Sequence, residues 1–437
     1  MSGGSLLLGL DFGTTRIKAL LIDRGGTRRG FAAGATPFAA GPDGVQMSVG
    51  ALRDAVREVL GGLGQDRDRV VAAGVTGMAE SGAALDQDGA PLGPIIAWHD
   101  PRGADTAARL QERFGDGFAA RIGQRPRPVL SAAKLGWLRA QGVRAPHHWL
   151  GVPELCLYWL TGALATEHSL AARTGWYDVA RLRYLPEVAQ LLRIPPEAFP
   201  PVLAAGAAMG SVSARGAAWS GLRAGIPVTV AGHDHLAGAE GIGARQDDLV
   251  NSVGTAEAVL RRCSRLPDMD RALALRLAVT VRPGGRGWVV LAGAARSGLV
   301  LATAATALGR SLPTLDALAE HAGTADASAL LRTIQQGRVP EVPKEPAGAV
   351  WNGLLQALAR QTVAAAGRLV ELGGPARRLI VFGGGSLSRP WLRAKAEASG
   401  LPVVHAAEAQ AAARGAALFA GVAAGWWPAP ATAPTAP

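Results

Sequence analysis

Two stretches of this chain, LGLDFGTTRIKALLID (8–23) and LVNSVGTAEAVLR (249–261), can be written as one pattern: strand, Gly-Thr-small turn, strand. Apolar residues alternate on both sides of each turn, which is the period of a pleated strand. Aligning them sets Gly13-Thr14-Thr15 over Gly254-Thr255-Ala256, an offset of 241 residues. A hairpin repeated at that distance implies two halves built on one plan, the second opening near residue 246. The length of 437 residues agrees, since it exceeds what one hydrophobic core usually supports. The expected division is 1–245 and 246–437.

The elements between the hairpins alternate. Helical spacing covers Ser48–Leu63, Lys134–Gln141 and Glu154–Thr161, and short apolar strands are expected at Val70–Thr76, Leu92–Trp98 and Ile226–Ala231. After the second hairpin come a strand at Trp288–Ala292, helices over 297–308 and 350–372, and a buried strand Leu379–Phe382. A helix over 390–399, a strand at 402–404 and a helix over 408–424 complete the order. Strands alternating with helices define an α/β architecture. Disorder is expected only at Met1–Ser5 and in the tail after Gly425.

The formal charge of +11 invites a nucleic-acid reading, but the pattern opposes it. Forty-one of the 45 basic residues are arginine, scattered singly or in pairs, with no basic run of five. A nucleic-acid surface gathers its charge on one stripe or tail. Cys156 and Cys263 are far apart with no CxxC, which fits a reducing compartment. The apolar run 411–424 is broken by Arg414 and too short to span a bilayer. With no charged-then-apolar leader pattern at the start, a cytoplasmic protein without nucleic-acid or membrane partners is expected; a homodimer is left open.

A turn of glycine and threonine exposes backbone N–H groups and hydroxyls with little bulk, and converging N–H groups make an anion-binding concavity. Phosphate oxygens want several short hydrogen bonds and a nearby cation, which Arg16 or Lys18 can supply. Asp11 is the odd member, because a carboxylate repels phosphate unless a metal lies between them; Mg²⁺ takes carboxylate, water and phosphate oxygens together. The plainer account is a hairpin whose Asp and Thr satisfy the turn. A third glycine loop, Gly383-Gly384-Gly385-Ser386, opens between a buried strand and a helix, where backbone can approach a flat ligand. No GxxxxGK[ST] and no GxGxxG at the start of a βαβ unit accompany it.

His233-Asp234-His235 follows a strand. Two histidines two apart face opposite sides of a strand, and no third residue has ligand spacing, which argues against a metal site there. Asp234 reads better as a general base at the mouth of a cleft, and as an N-cap of the following helix it would be equally sound.

In this order the motifs resemble the FGGY carbohydrate kinases, over roughly residues 6 to 425. DFGTTRIKALLID resembles the family's first phosphate motif and NSVGTAEAV the second. GVTGMAESGAALDQDGAPLGPIIAWHDPR (74–102) resembles the sugar-binding segment, and LYWLTGALATEHS (157–169) a stretch beside the acceptor. AGHDHLAGAEGIG (231–243) is similar to the catalytic-aspartate segment and VFGGGSLSRPWLRAKAEASGLPV (381–403) to the adenosine segment.

The resemblance implies two actin-like (ribonuclease H-like) α/β domains with the active site in the cleft between them, and transfer of a phosphoryl group from ATP with Mg²⁺. It implies Asp234 as base, Asp11 on the Mg²⁺ side, and Gly13, Thr14, Thr15, Lys18, Gly254 and Thr255 at the phosphates. Gly384, Gly385 and Ser386 would lie near adenosine, and Glu80, Trp98, Asp100 and His235 would contact the acceptor. Met78-Ala79 stands in place of the Gln-Arg of the glycerol-kinase pattern, so the acceptor is left open. Glu80 and Asp100 together would repel a sugar acid or sugar phosphate unless Arg102 or another arginine turns inward, so a neutral polyol or ketose is expected. Three departures stand out: a reduced segment GRVPEVPKEPAGAV (337–350), Glu397 in place of aspartate, and no asparagine ahead of the helix 297–308. The competing expectation is a non-catalytic sugar- or nucleotide-binding regulator, against which Asp11 and Asp234 both weigh.

Overall fold

The computed structural model describes residues 4–341 and 344–434, so part of the reduced segment, residues 342 and 343, lies outside the described residues. Two six-stranded sheets carry the molecule. In the first, Arg28–Ala35, Arg16–Ile22 and Leu6–Phe12 run antiparallel, and Val70–Gly77 and Pro227–His233 continue in parallel. In the second, Trp288–Ala295, Glu257–Cys263 and Asp248–Val253 are antiparallel, and Arg378–Phe382 and Val403–His405 follow in parallel. One short extra strand flanks each, Gly210–Ser211 and Ala278–Val281. Both halves are thus a meander of three strands extended by two parallel ones, and the repeated hairpin occupies the same central place in each.

The strand Arg28–Ala35 was not legible because RRGFAAGA carries little β-branched or aromatic signal. The expected strand over Leu92–Trp98 shrinks to Ile95–Ile96, which pairs with Gln46–Met47.

The first sheet buries Leu6, Leu8, Leu10, Phe12 and Ile17 against the helices Val49–Gly61 and Val152–Thr161. Its other face is covered from far along the chain. The helix Ala411–Ala423, which follows the last strand of the second sheet, packs through Ala413, Ala417 and Ala420 on Leu7, Leu20 and Ala72 of the first. Glycine permits the approach: a Cβ at Gly9 or Gly74 would collide with the carbonyls of Ala413 and Ala416. Conversely the helix Asp234–Gly241, which follows the fifth strand of the first sheet, packs Leu236 and Ala239 on Val250, Leu260 and Phe382 of the second. The two helices exchange sheets and cross each other, with Gly415 against the Ala237 carbonyl and Gly241 against that of Ala411. A linear boundary at 245 therefore follows the sheets but not this exchange.

As far as residue 434 the tail departs from the disorder expected of it: Trp427 is buried in the same cluster as Leu7, and Arg414 donates to the carbonyls of Gly26 and Pro434; residues 435–437 lie outside the described residues.

Candidate active site

Both Gly-Thr turns lie at the same end of their sheets, and they meet. Thr15 Oγ1 and Thr255 Oγ1 are 2.7 Å apart, although 240 residues separate them in sequence. The first turn closes by the Gly13 N–H donating to the Arg16 carbonyl, the second by the Gly254 N–H donating to that of Ala256. Thr14 accepts from the indole Nε1 of Trp98 at 2.9 Å, which ties the expected acceptor wall to the expected phosphate turn.

Asp11 stands directly across the hairpin from Lys18, and its Oδ2 accepts from Lys18 Nζ at 3.3 Å. Lys18 is thereby committed to a carboxylate rather than aimed freely at phosphate. The other oxygen, Asp11 Oδ1, is buried without a partner. Burial raises the Asp11 pKa, Lys18 opposes, and the charge of Asp234 raises it further, so the two carboxylates are within electrostatic reach. A buried carboxylate oxygen with no donor is what a hard cation would satisfy. The residues present therefore fit Mg²⁺ at Asp11.

Asp234 is the first residue of its helix, its carboxylate accepting from the His235 amide at 2.7 Å. His233 Nε2 approaches the same oxygen to 3.2 Å and His235 Nδ1 to 4.0 Å. Burial raises the Asp234 pKa, but His235, His233, the amide hydrogen bond and Lys18 together outweigh it and hold the carboxyl below its ordinary value. His233, by contrast, is pushed down to about 3 by burial and is a neutral imidazole. The alternation argument for these histidines fails here. The strand ends at His233 and the helix begins at Asp234, so both rings fall on one side, 5.0 Å apart. Their donor atoms and the Asp234 carboxylate lie within 4.8 Å of one another. His235 Nδ1 is engaged with Ser252 Oγ at 2.9 Å, a bond from the first half to the second hairpin.

Of the expected acceptor residues, Trp98 lies against the first turn, Glu80 is held between Ser131 and Arg173, and Asp100 is folded into its own loop. Asp100 accepts from Arg102 Nε at 2.8 Å, Arg102 Nη2 at 3.0 Å and the Val45 amide at 2.6 Å. Burial would raise its pKa, and the Arg102 contacts more than offset that, so it is a locked carboxylate inside the loop. Lys134 holds the same loop by donating to the carbonyls of Asp100 and Arg102. Glu80 is buried and left-handed, with φ 68°, a conformation a glutamate adopts only where its surroundings impose it. Ser131 Oγ donates to its carbonyl at 2.9 Å. Its side chain accepts from Arg173 Nε at 2.7 Å. The premise of an unneutralised acidic pocket therefore does not hold, because Arg102 and Arg173 balance both acids. Arg173 carried no signal in the sequence: it comes from AARTGW, 93 residues from Glu80.

The glycine loop divides its tasks. A Cβ at Gly383 or Gly385 would strike Val253, on the strand that leads into the second turn, so these glycines serve packing. Gly384 is exposed with open space before it, the one position there free to face a ligand. Ser386 is buried and its hydroxyl returns to the Gly383 carbonyl at 2.6 Å, so it braces the loop rather than presenting itself to a nucleotide.

Two α/β sheets of equal topology, exchanging helices and facing each other across paired turns, make this a two-domain actin-like fold. Solved structures share it: a xylulose kinase from Rhodospirillum rubrum superposes with a TM-score of 0.79 at 25% identity over 96% of this chain and 92% of that one. A kinase from Brucella ovis gives a TM-score of 0.84 at 24% identity, over 99% and 93%. The family models for the FGGY family of carbohydrate kinases match residues 6–241 with the N-terminal domain and 292–424 with the C-terminal domain. The chain belongs to that family. Among curated relatives it is 30% identical to the L-fuculokinase of Escherichia coli K12, over 60% of this chain and 57% of that protein's length. It is 28% identical to the xylulose kinase of Streptomyces coelicolor over 92% and 84%. Among the described residues no helix is long and apolar enough to cross a membrane.

Proposed function

We propose that the chain is an ATP-dependent kinase that moves the γ-phosphoryl group of MgATP to a hydroxyl of a small neutral sugar or polyol, with Asp234 as general base. The observation that carries this reading is the convergence of Asp11 and Asp234 beneath two Gly-Thr turns that touch through Thr15 and Thr255. Phosphoryl transfer needs little covalent help: it needs alignment, charge neutralisation and a carboxylate to receive the acceptor proton.

Asp234 meets the last need. Its depressed pKa keeps it ionised at neutral pH, and the His235 amide and Ser252-anchored His235 ring fix its position. The turns Gly13-Thr14-Thr15 and Gly254-Thr255, which meet through their threonine hydroxyls, would line the phosphates, and Gly384 would lie where the base passes. Asp11, with its unpartnered oxygen, would hold Mg²⁺, which when bound spreads the phosphate charge. Lys18 opposes the rise that burial imposes on the Asp11 pKa. Closure of the halves would keep water from replacing the acceptor.

The acceptor argument changes its basis but not its direction. Glu80 with Arg173 and Asp100 with Arg102 are two charge-balanced pairs, so neither acid presents an uncompensated charge, which suits a neutral, hydroxyl-rich ligand. Glu80 offers its second carboxylate oxygen to neighbouring hydroxyls, and Trp98 covers C–H groups. The curated relatives named L-fuculokinase, xylulose kinase and glycerol kinase point the same way. ADP release on a panel of polyols, ketoses and sugar acids is the test. A neutral acceptor turned over with much the highest kcat/KM is expected; preference for an anion sinks the neutral pocket, and no ADP release with any of them sinks the kinase. Glu80→Ala should raise the acceptor KM, as a hydroxyl partner is worth about 1–3 kcal/mol, and leave the MgATP KM nearly unchanged.

A further inference from the structure

The domain behind the second turn holds an ammonium–carboxylate pair with no access to water. Lys395 is 0% exposed and Glu257 is 2% exposed. Lys395 Nζ donates to Glu257 Oε1, to Asn251 Oδ1 at 2.7 Å and to Thr362 Oγ1 at 3.1 Å, and lies 4.4 Å from the centre of the Trp391 ring. Glu257 also accepts from Thr362 Oγ1 at 2.7 Å and from Ser297 Oγ. As fold stabilisation this is a poor choice, because desolvating two charges costs more than an apolar pair of the same volume. Its placement gives a better reason.

Asn251 lies on the strand entering the Gly254-Thr255 turn, and Glu257 is the first residue of the strand leaving it. Lys395 sits on the helix Arg389–Ser399, which directly follows the glycine loop. Ser297 begins the helix Ser297–Ala307, whose Gly298 has no room for a Cβ against the Gly254 carbonyl. The ammonium on the helix behind the glycine loop therefore binds both arms of the second turn, and its carboxylate partner holds the start of a third element. We propose that Lys395 and Glu257 are positioning residues that set the second Gly-Thr turn against the glycine loop, and so determine the affinity for MgATP. The inference rests on the reading that the nucleotide lies at that turn.

The test compares Lys395→Met, Glu257→Gln and the double variant Lys395→Met/Glu257→Gln, by Tm, by calorimetric MgATP binding and by KM for MgATP and for the acceptor. The single Lys395→Met strands a buried carboxylate and should lower Tm. The double variant removes both charges while glutamine still accepts from Thr362 and Ser297, and should recover most of that Tm. Its MgATP Kd should stay raised by about tenfold or more, the scale of a small misplacement at a reacting group, with the acceptor KM within about twofold. Wild-type MgATP affinity in the stable double variant would overturn the inference and leave the pair purely structural. A folded wild-type chain that binds no MgATP would overturn the nucleotide assignment itself, and this inference with it.

Discussion

The two hairpins share a frame and differ in where they put their charge. In the first, the charged pair is Asp11 and Lys18, on the face of the strands turned to the cleft, with one carboxylate oxygen left over. The position equivalent to Asp11 in the second is Ser252, which pairs with Ala258 and is used to hold His235. There the carboxylate is Glu257, opposite Val253 and on the same buried face as Asn251, one residue over from Ser252, and Lys395 neutralises it. Because successive side chains point to opposite faces, a shift of one position moves a carboxylate from the ligand side of a turn to its foundation. One half thus presents charge and the other is braced by it.

Both turns face Asp234, so removing its charge should have the largest effect. Asp234→Asn keeps an N-terminal side-chain acceptor and should leave Tm and acceptor binding intact while cutting kcat by about 10²-fold or more. Near-normal turnover would take Asp234 out of the mechanism and leave the hairpins facing nothing. Next comes the contrast between the two cleft-side positions. Asp11→Asn should lower kcat/KM for MgATP by roughly 10-fold or more and raise the Mg²⁺ needed for half-maximal rate. Ser252→Ala, which removes only the support of His235, should cost about 1 kcal/mol, a few-fold in kcat, with no change in Mg²⁺ demand. Equal Mg²⁺ profiles for the two variants would erase the distinction drawn between the hairpins.

Thr14→Val and Thr255→Val sharpen it further, each expected to raise the MgATP KM by a few-fold, about 1 kcal/mol. Only Thr14 also holds Trp98, so Thr14→Val alone should move the acceptor KM as well. The smallest effect concerns buried carboxylates that lack a lysine. Glu154, beside the Glu80 segment, is buried and raised to about 7, with the Thr166 hydroxyl only partly offsetting burial. Its folded pKa lies above the unfolded value of 4.5, so the folded chain holds a proton that the unfolded chain releases. The stability it contributes is full below about 4.5 and is lost as pH rises through about 7. Glu154→Gln should therefore shrink the fall in Tm between pH 5 and pH 8 by roughly 2–4 °C. An unchanged pH dependence would mean that Glu154, like Glu257, has its charge compensated.

The site was legible wherever the signal was local. The Gly-Thr turns, the strand that ends at Asp234 and the Glu80 turn are each written in a few adjacent residues. The pairings were not. Asp100 read as an acceptor ligand, but Arg102, two residues on, folds back upon it, and Ser386 read as a neighbour of adenosine, but its hydroxyl turns into its own loop. Arg173 and Lys395 lie 93 and 138 residues from the carboxylates they meet, and nothing in their neighbours marks them.

Sequence alone determined the element types and the duplication, because alternation and turn chemistry are properties of consecutive residues and demand no partner. Only the tertiary structure decided which helix covers which sheet. The helices 234–241 and 411–423 are small-residue segments that could lie on either sheet; glycines at 9, 74, 241 and 415, far apart in the chain, leave backbone surfaces close enough for one arrangement. The same crossing carries Asp234 from the end of the first sheet to the end of a central strand of the second, where Ser252 holds its neighbour His235. Close packing of backbone on backbone is settled by shape over the whole molecule, and that is information no local stretch contains.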